Sequence, residues 1–109
     1  MKITKSLILS FLLVLIATLT PGNGKIAGNY LDKIVHIIIF FLLTRSALAA
    51  SSNKENYTSI VIVCILLGFV TEILQQFIPG RNMEFYDGLA DVVGVTIAYY
   101  FKKQFNSLQ

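Results

Sequence analysis

Charge is what this chain has least of. Of its 109 residues only 14% are Asp, Glu, Lys or Arg, while 55% are hydrophobic and the mean hydropathy is +0.70. Soluble domains carry roughly 25% charged residues, so a water-solvated fold is disfavoured from the outset. Ser6 to Thr20 and Ile60 to Val70 contain no charged position at all. A soluble helical bundle needs a polar stripe along every helix, and these stretches have none. There is one cysteine, Cys64, which excludes an intrachain disulfide and a multi-cysteine metal site and leaves it as a small packing residue. Basic runs are equally scarce. The net charge of +3 includes nothing longer than Lys102-Lys103, with no basic stripe interleaved with aromatics, so nucleic acid is not an expected partner.

What is present is a series of apolar segments punctuated by polar turns. Lys2 and Lys5 precede Ser6 to Thr20, which Pro21-Gly22 stops. A basic start and a short apolar run also mark signal peptides, but no small-x-small cleavage site follows directly, so a retained first span is expected. The further spans are expected at about 32–50, 58–78 and 84–101. The predicted fold is an all-α membrane protein, a single domain over 1–109 whose four transmembrane helices pack as a small bundle. Lys2, Lys5, Arg45, Lys54, Lys102 and Lys103 fall on one side of this arrangement, and Lys25, Lys33 and Arg81 on the other. By the positive-inside rule both termini are cytoplasmic, and the protein is expected to be multi-pass in the plasma membrane.

The acids are distributed differently. Asp32, Glu72, Glu84, Asp87 and Asp91 all belong to the outer half, together with His36, and only Glu55 lies inside. Acidic residues contribute little to orientation, so this bias calls for a shared polar site at the outer interface. Helical spacing allows it: Asp32 and His36 are i, i+4, Glu72 and Gln75 are i, i+3, and Asp87 and Asp91 are i, i+4. Gly68 lies one turn from Glu72, and Gly94 and Ala98 continue the Asp87–Asp91 face, so small residues let the helices approach.

Arginine can grip a phosphate bidentately, and an imidazole held by a carboxylate can act as base or nucleophile. The expected catalytic set is therefore His36 with Glu72, Asp87 and Asp32, and the expected binding set is Arg81, Lys33, Gln75 and Asp91. Simpler roles exist for several of them. Asp32 and Asp87 suit helix caps, Arg81 can pair with Glu84, and Arg45 suits a snorkelling anchor. A divalent metal could use His36 with Glu72, Asp87 and Asp91, but no dedicated metal motif is present and no cofactor is expected.

Asp32-Lys33-x-x-His36, Glu72-x-x-Gln75, Pro79-Gly80-Arg81, Asp87, position 91 and Gly94, in this order and spacing, resemble the VanZ-like family over about residues 30 to 100. Asp91 departs from the family's usual Asn there. The resemblance implies a small polytopic envelope protein, in a family whose namesake confers resistance to teicoplanin. It fits a protein that binds, and in one reading modifies, a phosphate-bearing lipid or lipid-linked cell-wall precursor at the outer leaflet. The alternative is a non-catalytic subunit that docks a protein partner through the same cluster.

Overall fold

The computed structural model describes residues 3–19, 30–51, 53–79 and 85–107. They form four α-helices: α1 (Lys5–Leu19), α2 (Tyr30–Ala50), α3 (Tyr57–Gln75) and α4 (Phe85–Ser107), with a short 3-10 turn at Lys54–Asn56 before α3. No strand occurs among the described residues. The bounds follow local chemistry. Asn53 accepts a hydrogen bond from the Glu55 amide at 2.9 Å and opens the turn that leads into α3. At the far end, Phe77 and Ile78 donate to the carbonyls of Leu74 and Gln75, tightening the chain ahead of Pro79. Helix α3 thus stops at Gln75, earlier than the expected 78, and α4 runs on to Ser107, past the expected 101. Lys102, Lys103 and Gln104 are good helix formers, so polarity ends the apolar span without ending the helix.

Length and composition make α2, and α3 with its leading turn, long and apolar enough to cross a membrane. The 21 residues of α2 span roughly 31 Å at about 1.5 Å per residue, close to a hydrocarbon core of about 30 Å. Helix α1 is apolar but shorter, with 15 residues. The bundle is inside-out relative to a soluble one. Ile16, Ile38, Val63 and Leu66 are all more than half exposed on its outside, whereas His36, Thr44, Glu72, Gln75, Asp87 and Asp91 are buried within. Such a surface suits lipid as solvent.

Packing is centred on α2 and α4, which form the most extensive helix pair. They run parallel, as their register shows: Lys33 meets Asp87, His36 meets Asp91, and Phe41 meets Phe101 edge to face. Between the second and third of these contacts α4 carries Gly94. A Cβ there would collide with the Ile37 carbonyl oxygen and lie 3.1 Å from the Phe41 amide nitrogen, so only glycine permits this approach. Phe40, Leu43, Leu48 and Val95 fill the adjoining core, with Cys64 buried beside them as expected. Helix α1 is tied at two points. Ser10 and Ser46 share a hydrogen bond of 2.9 Å, and the Gln75 side-chain amide donates to the Thr18 carbonyl at 2.8 Å.

Candidate functional site

Three of the four helices bring the expected residues together. Lys33 and His36 come from the first two turns of α2, Glu72 and Gln75 from the last turns of α3, and Asp87 and Asp91 from the first two turns of α4. Because α2 and α4 are parallel and in register, the pairs stack in two layers. In the upper layer Lys33 Nζ donates to Asp87 Oδ1 at 3.1 Å. One turn deeper, His36 Nδ1 lies 2.6 Å from Asp91 Oδ1 and 3.9 Å from Glu72 Oε1. The other ring nitrogen, Nε2, is 3.8 Å from Asp87 Oδ2, which links the layers. His36, Glu72, Gln75, Asp87 and Asp91 are each at most 3% exposed, so their interactions act in a low-dielectric setting.

The local sequence explains this closeness. A Cβ on Gly68 would lie 2.9 Å from Asp91 Cβ, so α3 makes room for the aspartate one turn below Glu72. Thr71 turns its hydroxyl back to the Gly68 carbonyl at 2.8 Å, which satisfies it within its own helix. Gln75 spends its amide nitrogen on α1 and keeps Oε1 buried, with no hydrogen-bond donor among the described residues. Replacing Gln75 by Leu is expected to release the end of α1. Protease cleavage between α1 and α2 should then become faster, while the His36–Asp91 contact is kept.

The pairing differs in part from the sequence expectation. Asp91, expected to shape a binding pocket, is the carboxylate in contact with His36. Lys33, expected to help hold phosphate, is bonded to Asp87, and Asp87 sits in the first turn of α4, where a carboxylate also suits the helix dipole. Asp32 lies in the first turn of α2, but its side chain, like all of Arg81 and Glu84, falls outside the described residues. Thr18 was not singled out in the sequence. Its backbone carbonyl holds Gln75 while its hydroxyl turns back to the Val14 carbonyl, so the side-chain type gave no signal for the contact.

Chemically the cluster is a buried acid–base centre. An ionised Asp91 can only accept, so it places the proton on His36 Nδ1 and leaves the lone pair on Nε2, the tautomer a general base requires. Glu72, Asp87 and Asp91 share the site with one ammonium, that of Lys33, and one imidazole among the described residues. His36, Glu72 and Asp91 each offer one ligand atom within 4.8 Å of the others, a set of the type that binds divalent transition metals. A metal on Nδ1 would replace the hydrogen bond to Asp91, so the same atoms serve one role or the other.

Curated relatives match only in part. The chain is 33% identical over 77 residues to human NACHT and WD repeat domain-containing protein 2 and 29% identical to the mouse protein. Each match covers 71% of this chain, which spans about 4% of the relative's length. No solved structure matches. The VanZ/LLP1 family model, in contrast, matches residues 2–106, taking in the four helices up to the last residue of α4 and every residue of the buried cluster, and on that match the chain belongs to the VanZ/LLP1 family.

Proposed function

We propose that this VanZ-like membrane protein binds and chemically modifies a phosphate-bearing lipid, or a lipid-linked cell-wall precursor, at the outer leaflet of the plasma membrane. All four helices span, both termini are cytoplasmic, and the buried cluster opens outward. The observation that carries the reading is the short contact between His36 Nδ1 and Asp91 Oδ1, because a carboxylate-held imidazole is the arrangement that activates a hydroxyl or water. His36 takes the proton from the attacking oxygen. A phosphohistidine would place new negative charge among three carboxylates, so the base role is favoured over the nucleophile. Glu72 and Asp87 relay protons, Asp32, four residues ahead of His36 in the sequence, joins them in that role, and Gln75 offers its buried Oε1 to a substrate donor. With Lys33 engaged by Asp87, phosphate recognition falls mainly to Arg81. Since His36 is only 1% exposed, the outer end of the bundle must part to admit a head group. Altered glycopeptide susceptibility, including to teicoplanin, would follow from a changed precursor.

The test is mass spectrometry of total lipids and lipid-linked precursors from cells overproducing the wild type or His36→Ala at matched membrane levels. A species that changes with the wild type and stays unchanged with His36→Ala is the expected result. The change should also survive chelation by EDTA. Loss on chelation and recovery with zinc would reassign His36 from base to metal ligand. Identical pools, together with a stoichiometric co-purifying protein, would establish the docking module instead.

A further inference from the structure

A second polar feature lies at the opposite end of α2 from the cluster. Arg45 is nine residues beyond His36, roughly 13 Å further along the helix at about 1.5 Å per residue. It faces an open groove of about 630 Å³ between α1 and α2. The groove exists because α1 is anchored unevenly: its buried residues, Val14 and Thr18, belong to its second half. Over its first half the two helix faces are bridged by the Ser10–Ser46 hydrogen bond, with space on either side.

The lining is amphiphilic. Leu9, Leu13 and Leu42 make an apolar wall, and Thr4, Ser6 and Arg45 contribute hydroxyls and a guanidinium. No acidic residue among the described ones lines the groove, and Arg45 is exposed and makes no hydrogen bond or ion pair with any of them. An unpaired guanidinium at this depth in lipid is costly until it meets an anion or water. A second groove, between α1 and α3, makes the contrast: it is lined by apolar residues with Ser51, Asn56 and Ser59, and carries no charge.

We propose that the α1/α2 groove is a binding site for an anionic phospholipid of the leaflet on the side of the α1 N-terminus. The phosphate takes a bidentate hydrogen bond from Arg45 and further bonds from Ser6 and Thr4, while an acyl chain lies along Leu9, Leu13 and Leu42. Charge complementarity selects this occupant. A zwitterionic lipid carries an ammonium for which the groove has no acid, and a helix from a second copy would bring apolar surface to the guanidinium. The site is independent of the His36 cluster and of its chemistry.

The full chain, reconstituted in nanodiscs of phosphatidylcholine with an equal amount of phosphatidylglycerol and released into the gas phase, should retain phosphatidylglycerol in native mass spectra. Loss of a charge-assisted hydrogen bond is worth roughly tenfold in affinity. Arg45→Gln should therefore lose most of the retained phosphatidylglycerol, and Arg45→Lys should keep part of it. Ala49→Phe fills the exposed rim of the groove without touching the charge and should lose the lipid as well. Equal retention by wild type and Arg45→Gln, no preference over phosphatidylcholine, or a dimer that Arg45→Gln dissociates would each overturn the proposal. Circular dichroism in phosphatidylcholine alone should be the same for all four proteins, and if Arg45→Gln is unfolded, the Lys and Phe variants still decide the question.

Discussion

Asp91→Leu is expected to reduce the lipid change produced by the wild type about a hundredfold or more, to the level of His36→Ala, whereas Asp91→Asn should retain a measurable part. The 2.6 Å contact with His36 Nδ1 gives the aspartate two effects on the imidazole. It fixes the tautomer, and its charge stabilises the imidazolium formed when Nε2 takes a proton. Leucine removes both, and acid–base catalysis by a positioned group contributes roughly 10²–10⁴-fold. An asparagine Oδ1 can still accept from Nδ1–H, so it preserves the tautomer and loses the charge. Asparagine is also what the family resemblance leads one to expect at this position, which argues that the fold accommodates it. Stability should separate from activity in this series. Hydrogen bonds between membrane helices are worth only about 0.6 kcal/mol on average, because the inserted but unpacked state finds partners too. Thermal unfolding in mild detergent should accordingly change little for either variant while the rate falls steeply. Wild-type rates for Asp91→Leu would remove His36 from the chemistry.

The four apolar segments were legible in the sequence because Pro21-Gly22, the polar stretch at 51–57 and Pro79-Gly80 divide them, and the observed helices fall within a few residues of that division. The C-terminal limit of α4 was not, since Lys102 and Lys103 end the apolar stretch and say nothing against helix. For the site, the expense of burying charge was the informative signal: it singled out His36, Glu72, Asp87 and Asp91 without any knowledge of contacts. Partners were harder to read. Asp32 and His36 share a helical face by spacing, but the carboxylate that meets His36 comes from α4, through a register between parallel helices that no local pattern encodes. The Lys33–Asp87 pair, the Ser10–Ser46 bridge and the Gln75 bond to the Thr18 carbonyl join residues 36 to 57 positions apart. Each is long-range, and one of them uses a backbone carbonyl, which sequence identity does not reveal.

Gly94→Val is expected to remove most of the folded protein, and Gly94→Ala to leave a destabilised protein that has lost function as well. The contact at Gly94 is backbone on backbone. An added Cβ would run into the Ile37 carbonyl oxygen and stand 3.1 Å from the Phe41 amide nitrogen, and neither atom can rotate away as a side-chain tip would. Helices α2 and α4 must therefore part along their most extensive interface. Overpacking by one methyl costs typically about 1–3 kcal/mol, and a β-branched residue adds two more carbons at the same spot. The site lies too near to escape. Ile37 follows His36 directly, and Asp91 is one turn before Gly94 on α4, so a shift of the helix axes by about 1 Å takes the His36–Asp91 contact beyond hydrogen-bonding range. Thermal unfolding in detergent and the amount of protein recovered from membranes measure the first effect, and the lipid assay measures the second. Val93→Leu supplies the control, because residue 93 is 45% exposed on the outside of α4 and a surface change there should stay within about 0.5 kcal/mol. If Gly94→Val were as stable and as active as the wild type, the close parallel packing of α2 against α4 would be wrong, and with it the register that brings Asp91 to His36.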